Sequence, residues 1–157
     1  MTTVGAVPHR DALFSLCDRI PADWPWAVTA SANLALRGFD VEPGDVDIVA
    51  DGETVHDIAD LFAESVVRQV VPPEAAEGAH IRPHFGALEL GDTEVESMGD
   101  VEHRIDGEWV PDPAVKPRRE FLPIDGREIP VLALEAEARG YRARGERERA
   151  ARIERRR

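Results

Sequence analysis

The stretch that decides the fold is "VTASANLALRGFDVEPGDVDIVADG", residues 28–52. An apolar run leads into a short helix-forming segment that opens at Ser31, a residue suited to an N-cap, and stops at Gly38. The turn "EPGD", which ends at Asp45, leads into a second apolar run, "VDIVA", which contains Asp47. This order predicts strand, helix, turn and strand. Carboxylates on a buried strand cost free energy unless something compensates them, so the two acids need an explanation.

The rest of the chain predicts a sheet covered by helices. Amphipathic spacing indicates helices over residues 11–20 and 53–66, and residues 133–157 form a basic C-terminal helix or tail. Turn dipeptides predict three β-hairpins, at Gly91-Asp92, Asp106-Gly107 and Asp125-Gly126. We therefore expect one domain over residues 1–157 with an α/β (α+β) fold, in which helices flank a mixed β-sheet.

The charge is strongly acidic and unevenly distributed. The 157 residues include 31 Asp plus Glu against 19 Lys plus Arg, a net charge of −12, and only Lys116 is a lysine. Nine Arg and three Glu give residues 139–157 a net charge of +6, which leaves −18 for residues 1–138. Such a surface suits a very salty cytoplasm, where screening removes self-repulsion, so we expect a halophilic, archaeal-like host.

Cysteine content and hydropathy bound the location. The single cysteine, Cys17, excludes an internal disulfide and a cysteine-based zinc cluster. No window approaches the roughly 18 apolar residues of a membrane span, and the N-terminus lacks the basic head of a signal peptide. The sequence predicts a cytoplasmic protein with no membrane partner.

The acids of the second strand indicate a metal site. A period of two places Asp45 and Asp47 on one face, and the hairpin at Gly91 brings Glu94 and Glu96 onto a neighbouring strand. Converging carboxylates suit Mg²⁺ or Mn²⁺, ions that commonly serve a phosphate-bearing substrate. In the alternative interpretation Asp45 only ends a turn, in a chain rich in acids.

A strand, a small-residue turn into a helix and a strand bearing Asp-x-Asp together resemble the nucleotidyltransferase superfamily. The segment from Trp26 to about Asp100 is similar to small prokaryotic nucleotidyltransferases of the aminoglycoside-adenylyltransferase type. The segments "HFGALEL", "VESMGD" and "IPVLALEAEARGY" also resemble an uncharacterised prokaryotic branch of that superfamily.

The resemblance implies a reaction and a cofactor. Ser31 matches the motif serine that contacts the terminal phosphates of a nucleoside triphosphate such as ATP. Asp45 and Asp47 match the ligands of Mg²⁺ or Mn²⁺, with two metal ions in the site. The implied chemistry is transfer of a nucleoside monophosphate to an acceptor hydroxyl, with release of pyrophosphate.

The third carboxylate is implied to be Glu96, which supports the metal and can activate the acceptor hydroxyl. Glu94 and Asp100 are the competing choices. Arg37, between the two motifs, is a further candidate for the nucleotide site, although an exposed helix position is the alternative.

Ala30 departs from the family pattern, which has glycine before the motif serine. Glycine lets the backbone approach phosphate and adopt a positive φ, whereas alanine adds a methyl group and penalises that conformation. The departure bears on whether this chain is active, and Ala30 belongs to the expected nucleotide site.

Four residues are weaker site candidates. Arg82 and His84, in "RPHFG", could contact a phosphate or base, or be structural. Tyr141 and Arg144, in the basic C-terminal region, could shape the acceptor site, or belong to a solvated and partly frayed end.

Two function classes follow from the sequence. The first is a metal-dependent nucleotidyltransferase that acts on a small molecule, a protein or tRNA. The second is a non-catalytic nucleotide-binding or regulatory module, such as one half of a toxin-antitoxin pair. A second copy or a partner subunit could supply the wall of the acceptor pocket, since 157 residues leave little beyond a catalytic core.

Overall fold

The computed structural model describes residues 7–72, 74, 78 and 80–156, which form an eight-stranded mixed sheet with helices on both faces. The strands are β1 (Trp26–Thr29), β2 (Val46–Ala50), β3 (Val66–Val71), β4 (Ile81–Leu90), β5 (Thr93–Ile105), β6 (Glu108–Pro111), β7 (Arg119–Ile124) and β8 (Arg127–Leu132). The α-helices are α1 (Arg10–Arg19), α2 (Ala30–Leu36), α3 (Gly52–Leu61), α4 (Leu134–Ala143) and α5 (Arg147–Arg156). Short 3₁₀ turns occupy Ala63–Ser65 and Lys116–Arg118.

The sheet order is β3-β4-β5-β2-β1-β8-β7, with β6 paired to β5 outside this path. β2 runs parallel to β5, and β1 runs parallel to β8. The remaining neighbours are antiparallel, which includes the three predicted hairpins β4–β5, β5–β6 and β7–β8. The predicted α/β fold with a mixed sheet and flanking helices is confirmed.

Each face of the sheet packs against its own helices. Val46, Ile48 and Ala50 of β2 are buried in the main core, which also receives the apolar faces of α1 and α3. Val49 points the opposite way and packs with Val101 and other residues in a smaller cluster that contacts α4. Side chains alternate between the two faces of a strand, so Asp47 lies on the same face as Val49, which is the α4 face.

The C-terminal region forms two helices in place of the single helix or tail that the sequence predicts. Gly145 has a φ of 86°, a left-handed conformation that ends α4, and the backbone then turns into α5. Tyr141, Ala150 and Ile153 are buried together with Leu34 of α2. Arg157 lies outside the described residues. The region is therefore packed structure over residues 134–156, and not a solvated end.

Three boundaries differ from the sequence prediction. α2 begins at Ala30 with Thr29 as its N-cap residue, so Ser31 lies inside the first turn and is not the cap. Asp45 precedes β2, which begins at Val46. The helix expected over residues 53–66 ends at Leu61 because the chain must reach the edge strand β3. No helix among the described residues is long and apolar enough to cross a membrane.

Candidate active site

Asp45, Asp47 and Glu96 form a carboxylate cluster on the α4 face of the sheet. Ligand oxygens of all three lie within 4.8 Å of one another, and each side chain is half-buried. The parallel register of β2 and β5 creates the cluster, because it pairs Asp47 with Glu96 across the two strands. The residues expected to converge are thus brought together by strand pairing between segments about 50 positions apart.

Burial and mutual repulsion raise the pKa values of two carboxylates of the cluster. Burial, with added repulsion from Asp45 and Glu96, raises the pKa of Asp47 to about 7. Burial and the charges of Asp45 and Glu94 also raise the pKa of Glu96. When Asp47 is protonated, it donates a hydrogen bond to Glu96, which relieves the repulsion between the two close carboxylates. A divalent cation would remove the need for that proton, and oxygen ligands of this kind fit Mg²⁺ or Mn²⁺.

Glu94 and Asp100, the alternatives to Glu96 as the third carboxylate, lie outside the cluster. Glu94 is exposed, two residues before Glu96 on the same strand face, and acts on Glu96 only through its charge. Asp100 has a φ of 43° and turns away, so that its carboxylate accepts a hydrogen bond of 2.7 Å from the backbone N–H of Gly52. Of the three acids, Glu96 is the one whose carboxylate joins Asp45 and Asp47.

The turn from β1 into α2 lies beside the carboxylate cluster. Thr29 pairs with Asp47 in the antiparallel register of β1 and β2, so Ala30 and Ser31 leave the strand at the level of Asp45. Ala30 has a φ of 59°, in the left-handed region. This is the conformation for which glycine is suited, and here the alanine adopts it at a cost in free energy.

Glu137 of α4 is part of this site, and sequence reasoning missed it. Its carboxylate accepts a hydrogen bond from the Thr29 hydroxyl and another, of 2.6 Å, from the backbone N–H of Ala30. The side chain is only 4% exposed, and burial raises its pKa to about 7. A signal was present: Glu137 stands at helical spacing with Leu134 and Tyr141, on the apolar face where an acid is out of place.

Arg37 lies among protein acceptors. Its guanidinium donates to Asn33 Oδ1 at 2.9 Å, to the carbonyl of Leu132 at 3.0 Å and to Glu120 at 2.5 Å. Its side chain is 13% exposed, so the alternative of an exposed helix position is wrong. These contacts tie α2 to β7 and β8, and they engage Nε and Nη2 of Arg37 with protein acceptors.

Arg82 and His84 contact residues outside the carboxylate cluster. Arg82 forms an ion pair of 2.8 Å with Glu102 and lies 4.7 Å from the ring centre of Trp109. His84 contacts His56 of α3, with ring centres 5.8 Å apart, on the face opposite the carboxylates. Its Nδ1 atom is buried and has no hydrogen-bond partner among the described residues.

Tyr141 and Arg144 form a polar cluster behind Glu137. Tyr141 is 3% exposed, and the Arg144 guanidinium lies 4.7 Å from its ring centre. Arg144 Nη1 is 3.1 Å from His103 Nε2, and His103 Nδ1 is 2.8 Å from Asp112. Since arginine only donates, Nε2 accepts and the Nδ1–H donates to Asp112. Tyr141 is therefore packed in the interior, and Arg144 is held from several sides.

Two cavities lie near these helices. One of about 40 Å³ is bounded by Thr29, Met98 and Glu137, close to the carboxylate cluster. A larger one of about 800 Å³ lies between the β5–β6 hairpin and the helices α4 and α5, and its lining includes Arg104 and Arg142 but none of the three carboxylates.

Comparison with known proteins identifies the family of this chain. The family described as Aminoglycoside-2''-adenylyltransferase matches residues 12–157. The chain belongs to this family. The enzyme class expected from the sequence, a nucleotidyltransferase, is confirmed by that match. No curated protein matches the chain significantly.

Solved structures place this member of the Aminoglycoside-2''-adenylyltransferase family among nucleotidyltransferase folds. TM1012 of Thermotoga maritima, which is classed as a nucleotidyltransferase, is 30% identical with a TM-score of 0.82, over 98% of this chain and 97% of its own. ANT(2'')-Ia, in complex with adenylyl-2''-tobramycin, is 13% identical with a TM-score of 0.53, over 90% and 82%. The lincosamide antibiotic adenylyltransferase LnuA, lincomycin-bound, is 14% identical with a TM-score of 0.53, over 95% and 99%. The last two likenesses concern the fold alone.

Proposed function

We propose that the protein transfers a nucleoside monophosphate from a nucleoside triphosphate to an acceptor hydroxyl, with release of pyrophosphate. The observation that carries the proposal is the carboxylate cluster, in which Asp45, Asp47 and Glu96 oxygens lie within 4.8 Å and two of the three pKa values are raised. Three acids held this close cost free energy in the absence of a cation, and the reaction class uses one.

The residues have distinct roles in this proposal. Asp45, Asp47 and Glu96 would hold Mg²⁺ or Mn²⁺, which supplies neutralisation of the triphosphate charge when bound. Ser31 lies two residues after Thr29, which pairs with Asp47, and would donate its hydroxyl to a terminal phosphate oxygen. Because phosphoryl-group transfer needs in-line placement more than covalent help, the work of these side chains is to orient the triphosphate.

Glu96 is the proposed acceptor of the hydroxyl proton. Its side chain is half-buried beside Asp45 and Asp47, and once a cation has displaced the proton of the cluster, Glu96 presents a carboxylate. The proton of the acceptor hydroxyl passes to a Glu96 oxygen while the hydroxyl oxygen attacks the α-phosphorus and pyrophosphate leaves.

The acceptor is proposed to be a small molecule. Structures of two adenylyltransferases with this fold contain antibiotic ligands, adenylyl-2''-tobramycin in one and lincomycin in the other. A protein or tRNA acceptor remains the competing proposal, as does a second copy or partner subunit that completes the pocket.

The experiment is incubation with α-labelled nucleoside triphosphates and Mg²⁺ or Mn²⁺ at high salt, over a panel of hydroxyl-bearing antibiotics. Wild type is expected to label an acceptor and release pyrophosphate, and Asp47→Asn is expected to lower the rate at least 100-fold, as expected for removal of a metal ligand. Asp57→Asn, an exposed aspartate of α3, is the matched control and should retain activity. Equal rates for wild type and Asp47→Asn would overturn the assignment.

One observation favours the second candidate, a nucleotide-binding module without catalysis. Ala30 keeps its methyl group in the left-handed conformation beside the site, where the family pattern has glycine. In that case calorimetry would detect binding of the nucleoside triphosphate with no pyrophosphate release. Ala30→Gly would then be the variant to test for recovered turnover.

A further inference from the structure

The turn that leads to Ser31 needs stabilising contacts from outside the turn to keep its observed conformation. Ala30 has a φ of 59°, which an L-residue adopts only when surrounding contacts hold it. α2 has only seven residues, and its N-cap residue Thr29 makes no side-chain hydrogen bond to the helix backbone. The contacts that hold the turn must come from another part of the chain.

Glu137 supplies those contacts. One of its oxygens accepts from the Thr29 hydroxyl and the other accepts from the Ala30 N–H, at 2.6 Å. The residues are 108 and 107 positions apart, so α4 reaches across the sheet to the start of α2. Both bonds are charge-assisted when Glu137 is ionised, and such bonds are about twice as strong as neutral ones.

The part of α4 that carries Glu137 is held in place by packing on both sides. Ala136, just before Glu137, packs against the cluster of Val49 and Val101, and Ala138, just after it, is buried with Leu34 of α2. The carboxylate is therefore presented from a packed helix and not from a mobile loop. An apolar side chain would fill this buried position at lower cost, but it could not accept the Ala30 N–H.

We propose that Glu137 is a positioning residue for the nucleotide: its carboxylate holds Ala30 in the left-handed conformation and so aims Ser31 at the triphosphate. The inference rests on the proposed function of the site. It also assigns α4 a part in nucleotide binding, through a residue that is not one of the three clustered carboxylates and acts on Asp47 through its charge.

The test compares three substitutions at one position. Glu137→Gln keeps an oxygen for the Ala30 N–H and an amide that can donate to the Thr29 oxygen, so nucleoside triphosphate affinity should stay within about threefold of wild type. Glu137→Leu removes both acceptors and should weaken affinity about tenfold or more, as expected when a buried donor loses its partner. Glu135→Leu, on the exposed side of the same first turn, is the matched control and should bind as wild type does.

A second substitution separates positioning from general damage. Glycine adopts a positive φ without external support, so Ala30→Gly should restore most of the affinity lost in Glu137→Leu. If Glu137→Leu does not fold, Glu137→Asp takes its place, because a side chain one methylene shorter cannot reach both donors. The absence of any recovery in the double variant would overturn the proposal.

A readout without nucleotide keeps the two proposals distinguishable. Amide hydrogen exchange at Ala30, followed by NMR, should be slow in wild type and Glu137→Gln and at least tenfold faster in Glu137→Leu. Unchanged exchange in Glu137→Leu overturns the positioning role even if affinity falls. If the exchange responds as expected but wild type binds no nucleoside triphosphate, the proposed function has failed, and the nucleotide role of Glu137 fails with it.

Discussion

At the scale of single residues, Asp47 links metal binding to pH. Its pKa is raised to about 7, and the proton must leave before the carboxylate can bind a divalent cation. We expect the affinity for Mn²⁺ to fall as pH decreases below 7, approaching tenfold per pH unit for one displaced proton. Titration calorimetry at pH 6, 7 and 8 measures this, with Asp47→Asn as the variant that loses the site. Affinity that is constant across this range would contradict the shared proton.

Glu137 makes a second pH prediction, for stability. Its folded pKa of about 7 lies above the ordinary 4.5, so the folded protein holds a proton that the unfolded chain releases. Its contribution to stability is therefore full below about pH 4.5 and is lost as pH rises to 7. Relative to wild type, Glu137→Gln should gain up to about 3 kcal/mol in the free energy of unfolding between pH 5 and pH 8.

The measurement is urea unfolding of both proteins without metal, at constant salt. Taking the difference between the two proteins cancels other groups, including Asp18 and Glu64, whose pKa values are lowered. A difference that does not change with pH would show that Glu137 is ionised throughout.

Ala30 provides a third test at this scale. A residue with a side chain in the left-handed region costs about 1–2 kcal/mol, and glycine gains flexibility in the unfolded chain in return. Ala30→Gly should therefore raise the free energy of unfolding by about 0.5–1 kcal/mol. Ala35→Gly, within the same helix, should lower it by about 1 kcal/mol. Equal losses in both variants would mean that Ala30 is not strained.

At the scale of elements, the sequence predicts what depends on neighbours in the chain. The β1–α2–β2 unit and the three hairpins follow from periodicity and turn dipeptides, and the structure confirms them. Asp100 was not separable from Glu96 in this way, because its left-handed backbone and its bond to Gly52 exist only once α3 meets β5. Glu137 was missed for a similar reason, since its two partners lie more than 100 residues away.

The break between α4 and α5 shows where composition misled the prediction. Arginine-rich sequence suggests a solvated end, yet Ile153 is 1% exposed and packs with Tyr141 beside α2. Ile153→Ala should lower the free energy of unfolding by about 2–4 kcal/mol, because it leaves a cavity between the two helices. Arg152→Ala, on the exposed face of α5, should change it by less than about 0.5 kcal/mol. Similar small losses in both would restore the frayed-end interpretation.

At the scale of the whole molecule, the charge distribution predicts a response to salt. The net charge is −12, and the acids outnumber the bases by far in residues 1–138. The ion pairs that involve exposed side chains, such as Arg127 with Asp18, contribute little each, so repulsion among the excess acids is not locally offset. Salt should therefore stabilise the fold by screening that repulsion.

The salt effect has a shape that identifies its cause. The screening length falls from about 10 Å at 0.1 M to about 3 Å at 1 M, so screening is nearly complete by 1 M. We expect the melting temperature to rise steeply with KCl up to about 1 M and to level off above it. A variant with less excess charge carries three substitutions on exposed positions of α3: Glu53→Gln, Asp57→Asn and Asp60→Asn. Its melting temperature should be higher at low salt, so its salt dependence should be flatter. A rise that continues linearly through 3 M in both proteins would instead indicate exclusion of salt from the surface, and the acidic composition would then have no role in the response to salt.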